Sequence, residues 1–363
     1  MAGRRDNDGC LGIGLVGCGR AGVLLHLPAL SRVRGVRVTA LADTEPARLA
    51  EAARLAPTAA TYGDYRRLLE DPRVDLAAVC VPPAAHAPVA VAAIGAGKHV
   101  MVEKPLAHSL DAADAIVAAA RASRATVGVG HQLRCHRLVQ RARAELAGGG
   151  LGHVTAARTA WTTDLRHPAG SWQRQPGQAG SVICEIGLHH LDLVRYLLGA
   201  RAVEVSARMR EEEAGSGRAV VSANLEAGVV MTALFARGTA ATNELSFYGE
   251  RGALRLDCYR FDGLTRLGAA DGLAGRLRRP LASTVEALGA AARLRRGGDF
   301  LDSYRRHWEA FLGAVRGEGP VPCPPEEARD ALAAALAAEA STVSGRPVRV
   351  DEAAYGAALA GRA

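Results

Sequence analysis

The segment Gly17-Cys18-Gly19-Arg20-Ala21-Gly22 constrains the fold more than any other, because of what flanks it. An apolar run, Leu11 to Val16, precedes it, and Val23 to Arg32 follows with helical spacing. A β-branched and apolar run, Val36 to Ala42, then stops at Asp43, 21 residues after Gly22. The glycine pattern alone is weak, since glycine is common in this chain; strand, turn, helix, strand and acid in that order are specific to a dinucleotide cradle. Gly17 permits the tight turn, Gly19 lets the backbone approach a pyrophosphate, and Gly22 lets helix and strand pack closely. Arg20 and Ala21 complete the loop, and the phosphates rest on the helix N-terminus, whose free N–H groups favour anions. Asp43 is placed to accept from the ribose hydroxyls and to repel a 2′-phosphate, which favours NAD and leaves NADP as the alternative. The competing reading of Asp43 is a turn or N-cap residue before Pro46.

The alternation continues. Helical segments at Leu49–Leu55, Asp64–Leu69, Pro88–Ala96 and Leu110–Ser123 separate apolar runs at Leu76–Val81, Lys98–Val102 and Thr126–Gly130. Strands separated by helices predict a doubly wound parallel sheet, with ligands beyond the strands' carboxyl ends. Pro82, His86, Glu103, Lys104 and His131 all fall at such ends. Past residue 131 strand-like alternation dominates, clearest at Val203–Met209, Ala219–Leu225, Val229–Phe235 and Glu244–Tyr248. The expected fold is α/β: a Rossmann domain over 10–130, then an α+β domain over 131–350 on a largely antiparallel open sheet. Gly263–Gly298 reads as less ordered, and helices at Tyr304–Arg316 and Pro325–Ser344 as packing back onto the body.

Only two of the 45 basic side chains are lysines, Lys98 and Lys104. A lone lysine is ordinarily a surface residue. Lys104, however, stands in Glu103-Lys104-Pro105 at the end of an apolar run, and a compact ammonium suits chemistry on a single oxygen. The net charge of +8 comes from dispersed arginines without a basic block interleaved with aromatics, so nucleic acid is not the expected partner. The arginines between 276 and 296 read as a solvated face or as contacts to a phosphate-bearing ligand. No long uncharged apolar run predicts a membrane span, and residues 1–9 read as a flexible lead, not a signal peptide. Seven cysteines without a CxxC pair point to buried free thiols in a reducing cytoplasm.

A helical segment from about Val182 to Leu198 interrupts the sheet region. Its Glu185, His189 and Asp192, spaced by four and then three, are expected on one stripe, with Leu188, Leu191, Val194 and Leu198 on another side. Such a stripe is either solvated or part of a site; a His on a rigid helix opposite a strand-end Lys is what alcohol oxidation needs. HExxH is absent, and adjacent His189 and His190 do not share an ion easily, so no metal is expected. Gln132, Arg134 and Trp172 are read as substrate-pocket walls or as structural residues.

These residues together resemble the Gfo/Idh/MocA family of sugar and cyclitol oxidoreductases. The resemblance rests on GCGRAG (17–22), Asp43, VPPAAH (81–86), GKHVMVEKPLA (97–107), GHQLR (130–134), AGSVICEIGLHHLDLVRYLLG (179–199) and SYRRHWEAFLGAVRGEGPVP (303–322). It implies that Lys104 touches the reacting oxygen and that His189 is the acid/base. Asp192 would orient or bind. Glu185 stands where the family pattern D-x-G-x-H-x-x-D has its first Asp, a departure of one methylene, and the resemblance gives it that catalytic position. A His where ketone reductases of the family often carry Tyr points toward inositol- and inosamine-type dehydrogenases. The expected substrate is a polyol or sugar and the expected assembly a homodimer or homotetramer. Alternatives are a ketosugar or nucleotide-sugar reductase, including one acting on an antibiotic-pathway intermediate, a redox-neutral NAD-dependent glycosidase, and a non-catalytic NAD-sensing regulator.

Overall fold

Short runs of Ala, Val and Leu in the first third of the chain line up as one sheet. β1 (Leu11–Val16), β2 (Val36–Ala42), β3 (Ala60–Tyr62), β4 (Leu76–Val79), β5 (His99–Val102) and β6 (Val127–Val129) pair in parallel in the order β3-β2-β1-β4-β5-β6. All four residues of β4 are buried, as expected of a central strand covered on both faces. Helices α2 (Pro46–Leu55), α3 (Tyr65–Glu70), α4 (His86–Gly95) and α5 (Leu110–Arg121) make the crossovers, and strand order reverses between β1 and β4. That reversal opens a crevice at the strands' carboxyl ends, where the glycine loop lies.

The computed structural model describes residues 10–175, 178–212, 215–268 and 298–350. They form two compact units: one runs to Gln132 and takes in Tyr304–Arg329, the other holds Leu133–Ser303 and the chain from Asp330. In the first unit the late segment is tied to the sheet by Val129 N–H donating to Cys323 O at 3.0 Å. Phe311 covers Gly128 so closely that an added Cβ would lie 2.8 Å from its ring.

The second unit holds an eight-stranded sheet. β7 (Val154–Thr163), β8 (Ala202–Glu211), β9 (Gly217–Leu225), β10 (Val230–Arg237), β11 (Thr242–Gly249), β12 (Gly252–Asp257), β13 (Leu264–Gly268) and β14 (Val348–Arg349) run in the order β13-β12-β11-β7-β10-β9-β8-β14. Only β7 and β10 pair in parallel. β9 alternates strictly between buried and exposed, the mark of a sheet with one covered face. α6 (Arg137–Ala147) and α7 (Leu188–Leu198) belong to this unit. No helix among the described residues is long and apolar enough to cross a membrane.

Several expectations change. The helix expected over Val23–Arg32 opens as a π-turn, Gly22–His26, before α1 (Leu27–Leu30), and the one expected from Val182 opens as a π-turn, Ile183–Gly187, before α7. Each is a single turn of five residues, too short to leave a periodicity of its own in the sequence. Gly263–Gly298, read as less ordered, begins with β13 paired to β12; the arginines at 276–296 lie outside the described residues. The first late helix, α8, starts six residues earlier than expected, at Gly298, and runs to Val315; α9 spans Pro325–Ser344. Lys98 has a structural task, donating from Nζ to Val74 O at 2.7 Å in the turn before β4.

Candidate active site

The glycine loop has the geometry its sequence demands. Gly17 has φ +96°, and a Cβ there would lie 2.5 Å from Cys80 O, so only glycine fits. Gly19 has open space where its side chain would be, the condition for a ligand's phosphates to approach the backbone. Ala21 is half-buried and Arg20 exposed. The half-buried Asp43 accepts Cys18 N–H at 2.7 Å on Oδ2 and Glu45 N–H at 2.8 Å on Oδ1. One carboxylate thereby clamps the loop to the end of β2 and keeps a lone pair on each oxygen.

Beyond β4, Pro82 is exposed, but His86 is buried. Its Nδ1 lies 2.8 Å from Pro105 O and its Nε2 2.8 Å from Val81 O. Both nitrogens meet backbone carbonyls, and the ring braces the Pro105 turn. Burial, only partly offset by those carbonyls, lowers its pKa. Glu103 is likewise bonded within the chain: its Oε1 meets His26 Nε2 at 2.8 Å, and its Oε2 accepts Lys104 N–H at 3.0 Å. Burial alone would raise the Glu103 carboxyl, but the His26 hydrogen bond and the Lys104 charge bring it below its ordinary value. Lys104, half-buried, is presented beyond β5 on a turn with a cis Lys104–Pro105 bond. Gln132, at the end of the first unit, is buried, and its amide makes no hydrogen bond among the described residues.

In the second unit the expected polar stripe divides. Asp192 is buried and held by Arg134, from Nε at 2.8 Å and Nη2 at 2.5 Å. The guanidinium also lies 4.8 Å over the Tyr196 ring. Two residues expected to line a substrate pocket are therefore each other's counter-ion. Glu185 goes elsewhere: its Oε2 receives Arg237 Nη1 at 2.6 Å and lies 2.7 Å from His167 Nε2. Arg237 extends the cluster to Glu211 at 2.5 Å and to Gly180 O at 3.0 Å. Glu185 sits in the π-turn Ile183–Gly187 that precedes α7, outside the regular helical spacing by which the stripe is drawn. Glu185 thus belongs to an internal ion cluster with His167 and Arg237.

His189 is buried on α7 with its ring 4.9 Å from that of Trp161, whose Nε1–H donates to Tyr259 Oη at 3.0 Å. Trp172 is half-buried in a 3-10 turn, Trp172–Arg174. Arg237, His167 and Trp161 were not singled out from the sequence. The one available signal was scarcity: of three tryptophans, Trp161 packs on His189 and Trp308 on His26.

His190 is fully buried between Thr159 Oγ1 and Asn243 Oδ1, the latter 3.0 Å from Nε2. Burial pushes its pKa down to about 4, the Asn243 bond offsetting only part. A histidine depressed in the folded state contributes stability that is intact above its unfolded value, about 6.5, and is lost as pH falls toward 4. The expected loss over that window is about 3 kcal/mol. Urea unfolding at stepped pH measures it, and a His190→Gln variant with an unchanged pH slope would refute the assignment.

Among known proteins, the description "Oxidoreductase family, NAD-binding Rossmann fold" matches residues 11–131, and "Oxidoreductase family, C-terminal alpha/beta domain" matches residues 143–350. The chain is 25% identical over 349 residues to myo-inositol 2-dehydrogenase of Thermotoga maritima, covering 94% of this chain and 98% of that protein. It is 29% identical over 330 residues to 1,5-anhydro-D-fructose reductase of Ensifer adhaerens, covering 88% and 93%. Its fold is like that of levoglucosan dehydrogenase solved with NADH and levoglucosan, with a TM-score of 0.79 at 20% identity, covering 94% and 100% of the two chains.

Proposed function

The chain belongs to the Gfo/Idh/MocA oxidoreductase family, and from that premise we propose that it moves a hydride between a secondary alcohol of a cyclitol, aminocyclitol or sugar and NAD. The observation that carries the reading is the turn after β5. A buried, doubly bonded Glu103 holds the backbone of a half-buried Lys104 at the carboxyl edge of the sheet whose glycine loop and Asp43 fit a dinucleotide. The preference for NAD over its 2′-phosphate form follows from Asp43, whose charge repels a phosphate where it welcomes two hydroxyls.

The nicotinamide supplies reversible acceptance of a hydride. The chain's own residues handle the oxygen and its proton. His189 takes the hydroxyl proton, the transfer a positioned imidazole performs as general base. Lys104 donates to the same oxygen and stabilises the developing alkoxide. Trp161 supports the His189 ring, and the Arg134–Asp192 pair stiffens α7 beneath it. The similarity to myo-inositol 2-dehydrogenase over nearly the whole of both chains supports the cyclitol class. Self-association as a dimer or tetramer belongs to the same reading, since Val220, Val230 and Leu234 stand exposed on one face of the eight-stranded sheet.

The test is the near-ultraviolet absorbance of reduced nicotinamide after mixing the protein with NAD, and in parallel NADP, across inositols, aminocyclitols, hexoses and nucleotide sugars. A signal with a cyclitol and NAD is expected. Silence across the panel despite measured NAD binding would overturn the oxidation reading and favour ketone reduction or redox-neutral bond cleavage.

A further inference from the structure

The first unit contains a buried polar chain that neither the glycine loop nor the lysine requires by itself. Trp308, on α8, donates its indole N–H to His26 Nδ1 at 3.1 Å. His26 Nε2 lies 2.8 Å from Glu103 Oε1, and Glu103 Oε2 accepts the Lys104 N–H at 3.0 Å. Relative exposures of Trp308, His26 and Glu103 are 1%, 2% and 6%, so water does not compete for these bonds. His26 is also gripped by edge-to-face rings on two sides, Trp308 at 5.7 Å and Tyr304 at 5.6 Å. It closes the π-turn Gly22–His26, which therefore joins the glycine loop to the turn after β5.

We propose that Trp308 and His26 are positioning residues for Lys104: the indole N–H fixes the imidazole as its Nε2–H tautomer, and that N–H anchors the carboxylate which sets the Lys104 backbone. The proposal rests on the reading that Lys104 serves the reacting oxygen. Its logic is one of donors and acceptors. A neutral imidazole has one of each, and an N–H aimed at Nδ1 leaves Nε2 as the donor. Glu103, acceptor-only when ionised, then receives from two directions and cannot rotate without losing a bond. Burial opposes a charged His26, but Cys80 and Glu103 outweigh it and push its pKa up to about 10. Against that electrostatic preference stands the geometry: the indole N–H points at Nδ1, which cannot accept it and carry a second proton at once, and on that contact the neutral form is assigned. Reorienting the Glu103 carboxylate would shift the Lys104 turn, and small displacements of a catalytic group cost rate steeply.

Two measurements on the full-length protein test this. In ¹⁵N-histidine correlation spectra, with His26 assigned through His26→Gln, the wild type should show the neutral Nε2–H pattern throughout about pH 6 to 9. Trp308→Phe, which keeps the ring and removes only the donor, should allow a second proton or the other tautomer. A wild-type His26 that is doubly protonated, or protonated on Nδ1 alone, overturns the proposal. The second measurement is kinetic, with NAD and whichever panel polyol the wild type oxidises fastest. His26→Leu should lose about tenfold or more in kcat with KM for NAD little changed, and His26→Gln, which can still donate to Glu103, should recover most of it. A His26→Leu enzyme with full kcat beside a disabled Lys104→Ala overturns the relay. A Lys104→Ala enzyme with full kcat overturns the reading of the site itself.

Discussion

Lys104→Ala should lower turnover at least about a hundredfold while leaving the fold intact. Removing one preorganised donor to a developing oxyanion typically costs about 3–4 kcal/mol of barrier. The fold should survive because the backbone N–H bond to Glu103 is kept by alanine, and because the side chain is only half-buried. Lys104→Arg should not restore the rate, since a planar fork with five donors does not present one compact charge to one oxygen. Steady-state rates beside a thermal melt separate the two effects. Unchanged turnover in the alanine variant would remove Lys104 from the chemistry.

The second large effect concerns stability. Asp192→Ala leaves the Arg134 guanidinium buried, 1% exposed, without its carboxylate, and should destabilise the protein by about 3–5 kcal/mol. The expected test is a reciprocal one. Replacing both partners with apolar residues of similar volume, Arg134→Met with Asp192→Leu, should recover most of the loss, because the uncompensated charge is then gone. If Asp192→Ala melts like the wild type and only weakens substrate binding, Asp192 is a substrate contact after all and the pairing seen here is incidental.

Much of the architecture was legible from local pattern. The run Leu11–Val16, the glycine loop, and the run Val36–Ala42 ending at Asp43 were each read at the positions where β1, the loop and β2 occur. A buried parallel strand needs a continuous apolar run, and a pyrophosphate loop needs glycine where backbone crowds or opens. Both requirements lie within a few consecutive residues. Edge strands were less legible: Ala60–Tyr62 is three residues long, and Leu264–Gly268, half-exposed and interrupted by arginine, resembles a loop in composition.

The charged side chains divide differently. Glu185, His189 and Asp192 were legible as polar positions on one helical segment, but not as residues with separate partners. The counter-ions of Glu185 and Asp192 lie 52 residues away in Arg237 and 58 residues away in Arg134, and Trp308 reaches His26 across 282 residues. From its sequence alone this chain is a two-part α/β protein with a dinucleotide cradle and a lysine at a strand end, because those features follow from short-range sterics and from the periodicity of apolar burial. Which buried charge meets which, and hence which acids remain for a substrate, was decided only in the tertiary structure: two π-turns shift the helical phase by a residue, and a desolvated charge settles on whichever partner the packed fold brings within hydrogen-bonding distance.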